Sequence, residues 1–281
     1  MKKTTATRPN EAPRKLTRRK FQNPLREIFS WFDSNPSDHF DERPYIRETD
    51  GILALHLDKL SIQSEMRLDA PDELVLGYTR TMMCFMLFLP EPGRIAMIGL
   101  GGGSLAKYCY RYLPQSEILV LEINAGVIAL RNEFAIPPDD ARFQVRLADG
   151  ADYVADDSET VDVLFVDGFD ATGQVPQLGT PAFYDACFAK LNDNGVLAVN
   201  LWFGYPNYDK YVARISKSFA GQIVVVDAAG DKANKIILAV KGGNFPPSQT
   251  SVRLRADTLC KSHPMNYQAK ADKVIKALSR Y

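Results

Sequence analysis

The sequence predicts an α/β fold: a mainly parallel seven-stranded sheet with helices on both faces, preceded by a small N-terminal β-meander. Three observations carry this. The stretch RIAMIGLGGGSL at 94–105 passes from an apolar strand through a glycine-rich turn into a helix start. Short apolar runs then alternate with helical patterns up to residue 241, as parallel strands joined by crossover helices do. Earlier, Asp50-Gly51 sits between two extended runs, which signals a hairpin.

In chain order, residues 1–24 are rich in Lys, Arg, Thr and Pro and are predicted to be a disordered basic arm. Region 25–70 holds an irregular lead-in at Phe29–Phe40. The runs Pro44–Thr49, Ile52–Leu57 and Leu60–Met66 then form the meander. The main domain spans 71–244. It opens with a helix over Asp72–Leu89, where Leu74, Val75, Tyr78, Met82, Phe85 and Met86 recur at helical spacing. Strands follow at Ile95–Gly99, Ile118–Glu122, Gln144–Leu147, Val161–Val166, Val196–Leu201, Gln222–Val226 and Ile236–Lys241. Helices are expected at Ser104–Tyr112, Ala125–Phe134, Ala151–Ala155, Pro181–Leu191 and Tyr208–Ser218. The short turn Ala228–Lys232 leaves the last two strands to pair as a hairpin. This is the layout of a Rossmann-like, class I methyltransferase-type sheet. A C-terminal extension, 245–281, carries a basic surface helix at Ala269–Ser279.

Composition narrows the function. The 34 basic and 34 acidic residues cancel, so no nucleic-acid or membrane partner is expected from total charge. The four cysteines are scattered without a C-x-x-C pair, as in reduced cytoplasmic proteins. The three histidines are isolated, so no His-based metal site is expected.

The glycine loop narrows it further. Gly99 and Gly101 let the backbone turn and approach a ligand at a helix start. A dinucleotide fingerprint would need glycine at 104, where Ser104 stands. Glu122 ends the second strand of the sheet, where a carboxylate can accept both ribose hydroxyls. This combination favours a sulfonium nucleoside over NAD. Asp149-Gly150 ends the third strand: the Asp can accept the adenine amino group, the Gly lets the base approach, and helix capping by Asp149 explains the pair equally well. Asp167 ends the fourth strand, with Asp170 three residues on. Paired carboxylates suit binding a cationic amine and removing its proton before it attacks.

With these residues in place, the chain resembles the spermidine synthase (polyamine aminopropyltransferase) family from about 60 to 240. The resemblance rests on SIQSEM at 61–66, Tyr78, MIGLGGGSL at 97–105, LEINAGVI at 121–128, ADG at 148–150, VDVLFVDGFDATG at 161–173 and TPAFYDACFAKLNDNGVL at 180–197. It implies transfer of an aminopropyl group from decarboxylated S-adenosylmethionine to an amine such as putrescine, and a homodimer. By position, Glu122 would hold the ribose and Asp149 the adenine. Gln63 would contact the nucleoside, Asp167 would be the general base, and Asp170 and Tyr78 would meet the amine. The departures fall on the amine side. Gly102 replaces the Asp of the family's glycine loop, Thr79-Arg80 replaces His-Glu, and Ala171 and Gln174 replace prolines. Two alternatives stay open: an S-adenosylmethionine-dependent methyltransferase, whose donor keeps its carboxylate, and a catalytically idle nucleoside-binding paralogue.

Overall fold

The computed structural model describes residues 44–57, 62–170, 173–231, 233–243 and 245–280. The expected arm at 1–24 and the lead-in Phe29–Phe40 lie outside them. Alternating burial along the central strands sets the architecture. In β4 (Arg94–Ile98), Ile95 and Met97 enter one core while Ala96 and Ile98 enter another. A strand apolar on both faces has to lie inside a sheet covered on both sides.

The sheet has seven strands: β4, β5 (Glu117–Glu122), β6 (Phe143–Leu147), β7 (Val161–Val166), β10 (Leu191–Trp202), β11 (Ile223–Asp227) and β12 (Asn234–Val240). Their spatial order is β11-β12-β10-β7-β4-β5-β6. β4, β5, β6, β7 and β10 pair in parallel. β12 inserts between β10 and β11, antiparallel to both. A separate antiparallel sheet, β1-β2-β3, forms from Tyr45–Thr49, Ile52–His56 and Ser64–Arg67. Asp50 and Gly51, with φ of 52° and 75°, make the β1–β2 turn.

Several helices differ from expectation. Instead of one helix over Asp72–Leu89, α1 spans only Gly77–Met82 and continues as a 3-10 turn through Met83–Leu87. Residues 71–76 stay in turns, and the Arg80 guanidinium holds the carbonyls of Leu74 and Val75 there. α2 (Ser104–Tyr112) follows the glycine loop as expected. α3 stops at Ala129 (Ala125–Ala129), because the chain turns through 130–135 and reaches Ala135 at φ 50°. α4 (Gly150–Ala155), α5 (Pro181–Lys190) and α6 (Tyr208–Ser218) lie where the pattern puts them. After β7 come the two-residue strands β8 (Phe169–Asp170) and β9 (Gly173–Gln174). α7 (Gln249–Ser262) was not anticipated, since the Pro-rich lead masked its pattern. α8 (Tyr267–Leu278) is no surface helix: Tyr267, Ala271 and Val274 are fully buried in the core with Met82–Leu87. None of the described helices is long and apolar enough to cross a membrane.

Lys107 joins the N-terminal sheet to the main one. It is 1% exposed on α2, and its ammonium donates to Phe134 O at 2.7 Å and Met66 Sδ at 3.0 Å. No carboxylate pairs with it among the described residues, and burial lowers its pKa to about 8. The unfolded chain, with a lysine near 10.5, binds more protons between those values. Stability therefore gains a contribution as pH rises from about 8 to about 10. Urea midpoints are expected to show that increment in the parent and to lose it in Lys107→Met.

Candidate active site

Strand order reverses at β4, which has β5 on one side and β7 on the other. Ligands in open α/β sheets bind beyond the carboxyl ends of the strands at such a point. Here those ends are tied together by backbone hydrogen bonds: Asp167 N to Ile98 O at 2.9 Å, Gly99 N to Leu121 O at 2.8 Å, and Ala148 N to Glu122 O at 3.0 Å. Gly99 is required at this junction. Its φ is 95°, and a Cβ there would lie 2.3 Å from Asp167 O. Gly99→Ala is expected to cost on the order of 1–2 kcal/mol from backbone strain alone. The clash adds to this, and a lowered urea midpoint would register the sum.

The rest of the loop abuts the N-terminal sheet. Gly101 faces Ser64, and a Cβ on Gly102 would meet both the Phe134 ring and Ser64 Oγ at 2.7 Å. The loop thus has no room for the acid that Gly102 replaces without repacking. Gly150 has a packing reason as well, since a Cβ there would sit 2.4 Å from Ile98 Cγ2.

Glu122 is buried and holds two turns together. Its Oε2 accepts from Leu100 N at 2.9 Å and its Oε1 from Asn124 N at 2.8 Å. Each oxygen keeps lone-pair capacity for a hydroxyl. Asp149 caps α4: its Oδ1 accepts from Ala151 N at 2.8 Å. The other oxygen accepts from Gln177 Nε2 at 2.9 Å. Capping is therefore realised, and an adenine amino group at Asp149 would have to share Oδ2 with Gln177.

Asp167 differs. It is partly accessible, and its Oδ1 accepts from Asn200 Nδ2 at 2.9 Å. Burial raises its pKa above the usual carboxylate range, against the hydrogen bonds from Asn200 and the Tyr78 hydroxyl, which pull it down. Burial, then the Asp167 charge, pushes the Tyr78 phenol well above its ordinary pKa, so it stays a neutral donor. The Tyr78 hydroxyl also reaches Gln63 O at 3.5 Å, which brings the residue before β3 to the same spot by its main chain. Asp170 lies on β8, one residue pair from Gln174 on β9. Gln174 is buried and donates to Asn200 O at 3.5 Å. Two acceptors here, Gln174 Oε1 and Asn200 Oδ1, are buried without a donor.

The structure thus gathers Asp167, Tyr78 and Gln63 at one point and sets Glu122 at the end of β5, on the other side of β4 from β7. Arg80 turns away from them toward the 74–75 carbonyls. Sequence reasoning missed Asn200 and Gln177. An Asn within the apolar run VLAVNLW was a legible signal for the first; Gln177 carried none.

The model of the spermine/spermidine synthase domain matches residues 75–228, more than half of the chain. The chain belongs to this family. A relative from Chromobacterium violaceum named polyamine aminopropyltransferase is 38% identical over 215 residues, covering 76% of this family member and 82% of the relative. Among solved structures, a probable spermidine synthase from Corynebacterium glutamicum superposes with TM-score 0.63 at 19% identity, covering 76% of this chain and 83% of its own. A spermidine synthase in complex with the transition-state analogue AdoDATO superposes at 0.59 with 20% identity, covering 85% and 89%. Both structures share the spermidine-synthase fold of this family member.

Proposed function

We propose that the protein transfers an aminopropyl group from decarboxylated S-adenosylmethionine to a small amine such as putrescine. The observation that carries this is Asp167, a carboxylate of raised pKa beside a neutral tyrosine at the sheet's reversal point. Glu122 would hold the ribose hydroxyls, Asp149 the adenine edge, Gln63 the nucleoside from the other side, and the backbone at Gly99, Gly101 and Gly150 would let it approach. The ammonium of the acceptor would lie between Asp167 and Asp170, with Tyr78 alongside. Asp167 takes the proton. The freed nitrogen lone pair attacks the carbon beside the sulfonium, the C–S bond breaks, and its electrons stay on sulfur as methylthioadenosine. Because the leaving group departs neutral, positioning and deprotonation are the enzyme's main tasks.

This reading includes a cytoplasmic homodimer that uses no metal, with the nucleoside-binding domain at 71–244 between the strand region 25–70 and the extension 245–281. Methyl transfer from intact S-adenosylmethionine is the second reading. Gly102 favours it, because a loop without the family's acid at this position does not repel the carboxylate that the intact donor keeps. Incubation with decarboxylated S-adenosylmethionine and putrescine is expected to yield spermidine and methylthioadenosine in equal amounts. S-adenosylhomocysteine from the intact donor, with no aminopropyl product, would overturn the first reading in favour of the second.

A further inference from the structure

We propose that a second cavity, bounded by the 69–74 turn, α1 and the start of α8, binds a small soluble polyanion of the phosphate or pyrophosphate class through Arg80, Lys270 and Lys273. The cavity encloses about 790 Å³, a volume typical of small-molecule sites. Neither Glu122, Asp149 nor Asp167 lines it, so it is separate from the nucleoside cleft.

The charge balance points to an external anion. Three carboxylates line the cavity and two arginines meet them, which leaves one acidic charge against Arg80, Lys270 and Lys273, a balance of two positive charges. Asp69 and Glu73 lie 2.7 and 3.3 Å from Arg67, and Asp72 lies 2.9 Å from Arg111. Among the described residues the Arg80 guanidinium donates to the carbonyls of Leu74 and Val75, which carry no net charge. Lys270 and Lys273 have no ion-pair partner among the described residues. Nor do the other titratable groups of the wall supply one. Burial holds the Cys84 thiol at a pKa of about 11 and raises the Tyr108 phenol further, so both stay neutral near pH 7.

Two of the three cations act on the third, Lys270. Half-buried Lys270 has its pKa lowered first by burial, and the charges of Arg80 and Lys273 lower it further. Like charges gathered in a partly desolvated cavity repel unless a counter-charge joins them. A single carboxylate would neutralise one of the three. A phosphate or pyrophosphate group offers two or more charges and enough acceptor oxygens for the lysine and guanidinium donors.

The test is calorimetric titration of the full chain with inorganic pyrophosphate, at low salt and at physiological ionic strength. Saturable one-to-one binding is expected at both. The double variant Lys270→Gln/Lys273→Gln should weaken it by about tenfold or more. Lys210→Gln/Lys217→Gln, which removes two exposed charges on α6, should leave it unchanged. Saturating methylthioadenosine should not alter the stoichiometry. The proposal is overturned by absence of saturable binding, by loss of binding at physiological salt, or by equal weakening in the two double variants. Displacement by methylthioadenosine would overturn it too, since the anion would then occupy the nucleoside cleft. None of these readouts depends on aminopropyl transfer.

Discussion

Asp167→Asn is expected to lower kcat by about 10²–10⁴-fold, the range a positioned general base supplies, while leaving methylthioadenosine affinity nearly unchanged. The side chain keeps its shape, so the hydrogen-bonding position beside Asn200 and Tyr78 stays filled. One acceptor oxygen stays, while the charge, the second acceptor and the ability to take a proton go. Stability gives the control. The folded Asp167 has a pKa above its unfolded value near 3.8, so the folded state holds this proton more tightly. Its contribution is complete at low pH and is lost as pH rises through the raised value. At neutral pH the ionised acid costs stability, and the Asn variant should have a urea midpoint no lower than the parent. The parent's pH–rate profile should fall on the acid side at a pH above the ordinary carboxylate range, because protonated Asp167 is no base. Full turnover in the variant would remove Asp167 from the chemistry.

Glu122→Ala is expected to weaken nucleoside binding by about 1.5–3 kcal/mol, the size of a lost charge-assisted hydrogen-bonding pair. The structure adds a second effect. Glu122 accepts from Leu100 N and Asn124 N, so alanine frees two backbone donors at the start of the glycine loop and of α3. A fall in stability of about 1–3 kcal/mol is expected from those groups. Glu122→Gln separates the two effects. It keeps one acceptor oxygen near the loop, so stability should drop less than in alanine while affinity still falls. Calorimetry with methylthioadenosine and urea midpoints on the three proteins measure both. Unchanged affinity in alanine would place the ribose elsewhere.

Local pattern determined much of this protein. The apolar runs of β4, β5 and β7 are continuous because both faces of the sheet are covered, and that continuity is visible without coordinates. The helix expected at Pro181–Leu191 forms as α5, and Thr180 Oγ1 caps it by accepting from Phe183 N at 3.1 Å. The acids at strand ends were equally plain. Where the pattern misled, a distant contact had overridden it. Residues 72–76 have helical spacing, but the chain there is held in turns by Arg80. The basic α8 reads as a surface helix, yet its Tyr267, Ala271 and Val274 fill a core whose other side is Met82–Leu87.

Tertiary structure alone separated the acids. Asp149 and Asp167 look alike in sequence, each at a strand end and each before glycine. Asp149 is capped onto its own helix by a contact two residues away, and its other oxygen is taken by Gln177, 28 residues on. Asp167 is met by Asn200, 33 residues on, and by Tyr78 from a helix that precedes the whole sheet. Proton affinity depends on burial and on which donors arrive in space. Neither is a property of neighbouring residues, so the sequence determined that there would be carboxylates at this edge, and the fold decided which one has its pKa raised by burial and meets donors from distant elements.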